Sequence, residues 1–140
     1  MCCMSYTTLH AIPSAETYRR LRTGAGLSAK TAEAAARGLP NTLFAVQVLH
    51  EGEPIGMGRV IGDGGTAFQV VDIAVLPAHQ GRGLGKRIMA DIAGWLQAHV
   101  PETGYVSLLA DVPADGLYAQ HGFVHTAPRT VGMAWKRPAP

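Results

Sequence analysis

Gln80-Gly81-Arg82-Gly83-Leu84-Gly85-Lys86 is the stretch whose residue types and spacing are equipped for chemistry. Three glycines at alternate positions leave backbone N–H groups bare of side chains. The loop runs straight into a helical pattern, and a helix start carries partial positive charge. Arg82, Lys86 and Arg87 add full charges. Together these features suit a pyrophosphate. On residues alone three readings compete: a Gly-rich turn that only tightens a strand–helix junction, a dinucleotide fingerprint, and a P-loop. The fingerprint G-x-G-x-x-G fails on the alternating spacing of Gly81, Gly83 and Gly85. The P-loop fails because Gly85-Lys86 is followed by Arg87, so no hydroxyl is available for magnesium.

The elements that must hold this loop follow from patterning. Phe68 to Leu76 is the most apolar run; it is short, β-branched and stopped by Pro77. This predicts a strand covered on both faces and therefore central. Leu84, Ile88, Ile92 and Leu96 recur every four residues and predict an amphipathic helix over 84–99. Upstream, 6–12 reads as a short strand. Ser14 reads as the N-cap of a helix ended by Gly24 and Gly26, and Ser28 as a second N-cap before an alanine-rich helix over 31–37 with Gly38 as its stop. Strands are predicted over 42–49 and 55–61, the second weakened by Gly56 and Gly58, with Asp63-Gly64-Gly65 as a hairpin signal. Downstream come a strand over 105–111, a helix over 114–121 closed by Gly122, and a last strand pair over 123–126 and 130–135. The order is mixed: antiparallel hairpins first, then a β-α-β crossover.

Composition narrows the class. The chain has 140 residues, enough for one domain with a real core, and 47% of them are apolar against 16% charged. Twelve basic and ten acidic side chains leave a net charge of +2, which argues against nucleic acid or a membrane surface as partner. No apolar run approaches the ~20 residues that span a bilayer. MCCMSYTTLH lacks the basic start and apolar stretch of a secretory signal. Cys2 and Cys3 are neighbours, unsuited to an ordinary disulfide or to a spaced cysteine metal site, so no metal is expected. The expectation is a single cytoplasmic α/β domain over 1–140 with an exposed tail at 137–140.

Gln80-Gly81-Arg82-Gly83-Leu84-Gly85 also resembles Q/R-x-x-G-x-G/A, the acyl-CoA pyrophosphate loop of the GNAT N-acetyltransferases. The preceding Asp72-Ile73-Ala74-Val75-Leu76-Pro77 is similar to that family's fourth strand. Asp111 to Phe123 is similar to its later segment, with Leu117-Tyr118 and then Gly122-Phe123. The resemblance covers about residues 40 to 135. Within the family, Leu108-Leu109-Ala110-Asp111 and Gly132-Met133-Ala134-Trp135 resemble small stand-alone members that include plant plastid serotonin/lysine acetyltransferases.

The resemblance implies an α/β (α+β) GNAT fold: a mixed, mostly antiparallel sheet of six to seven strands flanked by four helices and splayed at its central strands. It implies acetyl-CoA as co-substrate and a primary amine as acceptor, attacked directly through a tetrahedral intermediate. Ile73, Ala74 and Val75 would meet the pantetheine arm through their backbone. Gln80, Gly81, Arg82, Gly83, Leu84, Gly85 and Lys86 would meet the pyrophosphate. Tyr118 aligns with the general acid. Asp111 stands where the family often has Asn, so it can accept a hydrogen bond from the cofactor but cannot donate an amide one. A carboxylate such as Asp72 in an apolar strand is either paired or functional, which makes Asp72 a candidate general base. Gln69, where some members carry Glu, cannot be one; His79 and His121 flank the two motifs as weaker candidates. The acceptor pocket would be walled by Tyr18, Arg22 and Leu27 and by 129–133, and a monoamine with an aromatic or aliphatic body, or an exposed lysine, suits it better than a polycation. Val131, Met133 and Trp135 alternate, as a homodimer face or a face packed on the chain's own last helix would. The alternative function is a non-catalytic acyl-CoA-binding or sensor module.

Overall fold

Strand patterning builds a five-stranded sheet whose spatial order follows the chain: β1 (Tyr6–Leu9), β2 (Phe44–His50), β3 (Glu53–Gly62), β4 (Ala67–Val75) and β5 (Tyr105–Ser107). The computed structural model describes residues 5–139; Cys2, Cys3 and the tail's last residue, Pro140, lie outside the described residues. Neighbours from β1 to β4 are antiparallel, and β5 is parallel to β4. Three helices belong with the sheet: α1 (Ala15–Gly24), α2 (Ala32–Gly38) and α3 (Leu84–His99), the last making the β4-α3-β5 crossover. The chain divides into two compact units, Met1–Leu108 and Leu109–Pro140. The first holds the sheet and these helices; the second holds a short helix, α4 (Asp115–Ala119). No helix among the described residues is long and apolar enough to cross a membrane.

The caps were partly legible. Ser14 caps α1, its hydroxyl accepting from the Thr17 N–H at 3.1 Å. Thr31, not Ser28, caps α2, accepting from the Ala34 N–H at 3.0 Å. Ser28 is engaged instead by Arg22, which reaches its carbonyl and its hydroxyl. The β3–β4 hairpin turns where Asp63-Gly64-Gly65 signalled it. The Asp63 carboxylate accepts from the Thr66 hydroxyl and from three successive N–H groups, of Gly65, Thr66 and Ala67. These bonds, the Thr66 hydroxyl first, hold its pKa well below the usual carboxylate range.

The centre of the sheet is β3 rather than β4. Residues 55–60 are buried without interruption, while in β4 only Phe68, Val70 and Ala74 are buried. Gly56 and Gly58 explain this. A Cβ at Gly58 would lie 2.7 Å from side-chain atoms of Ile73 and Ile88 and 2.9 Å from Ile92. The glycines therefore let α3 settle directly onto the strand. Ile88 and Ile92 are wholly buried there, each worth about 1.5–3 kcal/mol of transfer free energy. On the opposite face Met57 and Ala74 pack with Tyr18 and Leu21 of α1 and with Ala35 and Leu39.

Two expectations fail. The sheet has five strands among the described residues, not six or seven, and neither 123–126 nor 130–135 forms a strand. Thr126 and Thr130 do meet, the Thr130 N–H donating to the Thr126 carbonyl at 3.0 Å and the Thr126 hydroxyl to the Thr130 carbonyl at 3.1 Å. The segment between them contains Pro128, which has no N–H to donate, and Val131, Met133 and Trp135 are exposed. A hairpin that buries no apolar face lacks the packing that stabilises a strand pair. Likewise β5 stops at Ser107 rather than running to Asp111.

Candidate active site

Strand β4 runs into the glycine loop through a single 3₁₀ turn, Pro77–His79. The loop is tied at three points. The Gln80 side-chain amide donates to the Val75 carbonyl at 2.9 Å, folding the loop back on the strand end. The Tyr6 hydroxyl on β1 is hydrogen-bonded to His79 Nδ1 at 2.7 Å. Arg87 Nη1 donates to the Tyr6 carbonyl at 3.3 Å, which holds the first turn of α3 to the same strand.

Within this frame Gly81 and Gly83 adopt left-handed backbone, φ 77° and 76°, a region costly to residues with a Cβ. Nothing lies within 4 Å of where a Cβ would stand on either. Gly83 is the N-cap of the 16-residue α3, and no side chain caps the helix. The result is an uncapped helix start with open space beside its glycines, and helix starts of this kind receive phosphate oxygens. Arg82 and Lys86 are exposed beside it, whereas Leu84 is buried and anchors the helix start. Ile73, Ala74, Val75 and residues 80–86 thus form one continuous strand–loop–helix.

The pairing of β4 with β5 covers only Ala67, Phe68 and Gln69 against Tyr105, Val106 and Ser107. From Val70 onward β4 continues without a β5 partner, because β5 ends at Ser107. Strand edges of this kind offer N–H and C=O groups to an extended amide-bearing ligand.

Asp72 lies midway along β4 at a bulge. Val71 pairs with Arg59 and Ala74 with Met57, so Asp72 and Ile73 together oppose Gly58. Asp72 has φ 60°, strained for a residue with a Cβ. Strict alternation from Val71 would direct the Asp72 carboxylate toward α3. The bulge directs it to the α1 face, where it is 6% exposed. There Arg22 Nη1 donates to Oδ1 at 2.6 Å, Arg59 Nε donates to Oδ2 at 2.9 Å, and the Tyr18 hydroxyl donates to Oδ1 at 3.2 Å. Arg59 also donates to the Thr42 hydroxyl and stands 5.2 Å from the centre of the Tyr18 ring. Burial, then the Asp72 charge, pushes the Tyr18 phenol up from its ordinary pKa. Asp72 is therefore a paired carboxylate.

Arg59 was missed in the sequence, although an arginine inside Ile55-Gly56-Met57-Gly58-Arg59-Val60 is as anomalous as an aspartate in the next strand. The shared hairpin was the available signal. The residues expected to wall the acceptor pocket divide: Tyr18 and Arg22 surround Asp72, while Leu27 packs against the core.

In the second unit Tyr118 lies on α4, half-buried, its ring edge-on to Phe123 with centroids 6.5 Å apart. The short helix follows a tight turn in which the Ala114 N–H donates to the Asp111 carbonyl at 2.7 Å. Burial first, and the Asp111 charge second, raise the Tyr118 pKa above its ordinary value. The hydroxyl therefore stays protonated across the neutral range, the state a proton donor requires. His121 falls two residues beyond the end of α4 rather than inside the helix, and its Nδ1 lies 3.2 Å from the Leu117 carbonyl.

Comparison with known proteins identifies the family. Residues 40–125 match the acetyltransferase (GNAT) domain family. SA2161 from meticillin-resistant Staphylococcus aureus, a protein of unknown function described as a "probable acetyltransferase", has a solved structure and is 50% identical. The match covers 95% of this chain and all of that one, with a TM-score of 0.90. The GNAT family protein SP0256 from Streptococcus pneumoniae shares the fold at 24% identity, covering 96% of this chain and all of that one, with a TM-score of 0.77. The uncharacterized N-acetyltransferase ycf52 of Gracilaria tenuistipitata var. liui is 31% identical over 81 residues, 58% of this chain; the match spans 43% of that relative's length. A family match across the strand, the glycine loop and the α4 segment makes the chain a member of the GNAT acetyltransferases.

Proposed function

We propose that the protein transfers the acetyl group of acetyl-CoA to a primary amine. The observation that carries this reading is the open, uncapped helix start at Gly81 and Gly83, held at the end of the strand that parts from β5. Backbone N–H groups of 81–86 receive the pyrophosphate, with Arg82 and Lys86 adding screened attraction. The edge of β4 at Ile73, Ala74 and Val75 receives the pantetheine amides. Gln80 serves by holding the loop to Val75.

In the reaction the amine, having lost a proton to water, attacks the thioester carbonyl carbon. A C–N bond forms and the carbonyl electrons move to oxygen. The tetrahedral intermediate then collapses, the C–S bond breaks and the electron pair leaves with sulfur. Tyr118 donates its proton to that thiolate and is reprotonated from solvent, while the nitrogen loses its remaining extra proton to water. The products are an amide and coenzyme A. A hydroxyl of pKa near ~10 can protonate a thiolate whose acid has a pKa near ~8.5 when the site is polarised. Asp72, engaged by two guanidinium groups and a phenol, organises the α1 face of β4 rather than removing the proton.

The test is a panel of amines with acetyl-CoA, read by free thiol release and by the mass of the acetylated product. Amine-dependent thiol release with a matching acetylated product is expected. Saturable acetyl-CoA binding without turnover on any amine would favour the non-catalytic binding module instead.

A further inference from the structure

We propose that a cavity between α1, α2 and β3 binds an oxyanion, a carboxylate or a phosphate, and that this anion is part of the amine acceptor. Its place as an acceptor subsite rests on the acetyltransferase reading; its preference for an anion rests on the cavity alone.

The cavity has a volume of about 220 Å³. Its polar lining is Tyr18, Lys30 and Arg59, and its apolar lining includes Ala34, Ala35 and Leu39; no carboxylate lines it. Charge counting around it leaves a surplus. Arg22 and Arg59 are both about nine-tenths buried, and both pair with the one carboxylate of Asp72. Their other partners are neutral: the Ser28 carbonyl and hydroxyl for Arg22, the Thr42 hydroxyl for Arg59. One buried positive charge therefore has no counter-ion, a costly arrangement unless an anion joins it.

Arg59 points to where that anion would sit. Its Nε and Nη1 are engaged, while Nη2 has no hydrogen-bond partner among the described residues. No buried side-chain nitrogen or oxygen among the described residues lacks a partner, so Nη2 is reached by solvent, and Arg59 lines the cavity. Lys30 supplies a second cation. Arg19 Nε fixes its backbone by donating to the Lys30 carbonyl at 2.9 Å, and its ammonium makes no ion pair among the described residues. The nearby Glu33 is instead engaged with Arg37 on the exposed side of α2. A planar guanidinium, an ammonium and a phenol around a small space suit an oxyanion, whether carboxylate or phosphate. An acceptor read from sequence as a monoamine with an aromatic or aliphatic body, or an exposed lysine, becomes an amine that also bears a negative group.

Two measurements on the full chain test this. Inorganic phosphate, and in a separate arm acetate, is titrated while the Arg59 Nε–H resonance is followed by NMR. A saturable shift is expected, with the tighter arm naming the preferred oxyanion. Lys30→Glu should weaken it by about tenfold or more, and Lys30→Arg should restore it. No saturable shift while the resonance is visible, or an unchanged titration in Lys30→Glu, overturns the anion site. Acetylation of paired amines that differ only by a carboxylate or phosphate is then compared. A kcat/KM about tenfold or more higher for the anionic member is expected. Equal values alongside a positive titration overturn the acceptor role. Absence of turnover on every amine overturns the acetyltransferase reading, and the NMR titration still decides whether the cavity takes an anion.

Discussion

Asp72 and the Gly81–Gly83 loop are separated by a few residues of one strand and a 3₁₀ turn, and both place left-handed backbone where a strand would be extended or a helix would begin. At Asp72 the strained backbone brings a side chain into a buried network of two arginines and a tyrosine. At Gly81 and Gly83 there are no side chains at all, and open space lies where a Cβ would stand. The first arrangement gives the Asp72 carboxylate three internal donors and stabilises the fold. The second leaves the helix start without a side-chain cap and suits a ligand. Backbone strain alone therefore does not mark a binding site; what marks it is the absence of an internal partner.

That contrast can be broken most forcefully at Asp72. Asp72→Ala leaves two buried guanidinium groups with no carboxylate, and a loss of about 3–5 kcal/mol is expected. Thermal unfolding should move down by on the order of 10 °C. A variant that keeps its Tm and loses only kcat would return Asp72 to the role of general base.

Tyr118→Phe comes next in size. It keeps the ring against Phe123 and removes the hydroxyl. Turnover should fall by roughly 10²-fold with a similar KM for acetyl-CoA, a loss confined to the transition state. Unchanged kcat under conditions where chemistry limits the rate would make the hydroxyl dispensable.

A smaller effect sharpens the same residue. Its pKa is raised by burial and by the Asp111 charge, so the folded state holds the proton beyond the ordinary tyrosine range. The rate should therefore lose its acid above that range, and Asp111→Asn should move this alkaline limb to lower pH. A pH profile of kcat in both proteins checks the sign; movement to higher pH would contradict it. The smallest effect concerns salt. Arg82 and Lys86 are exposed, so raising ionic strength should raise the KM for acetyl-CoA only a few-fold. Arg87 should add little, since its guanidinium is held to the Tyr6 carbonyl.

The two regions also differ in how much could be read from the chain. The glycine loop and α3 were legible because their signals are local. Alternating glycines, the four-residue apolar repeat from Leu84 to Leu96 and a strand stopped by Pro77 lie within some thirty residues. The Asp72 network was legible only as an anomaly. Its geometry depends on a bulge that opposes Asp72 and Ile73 to a single glycine, and no residue type announces that register change. The centrality of β3 was hidden for a related reason. Gly56 and Gly58 read as weak strand formers, yet their missing side chains are what admit Ile88 and Ile92. The final strand pair was suggested by the alternation of Val131, Met133 and Trp135, yet these residues are exposed and bury no face that would hold a strand.

Calorimetric titration of acetyl-CoA into wild type and into Gly83→Val, with folding of both verified by circular dichroism, tests the ligand role of the glycine loop most directly. A branched side chain at φ 76° both strains the helix start and fills the space where phosphate oxygens would approach. Saturable binding by wild type and an affinity loss well over about tenfold in the variant are expected. Wild-type affinity in a folded Gly83→Val protein would contradict the assignment and move the pyrophosphate site elsewhere.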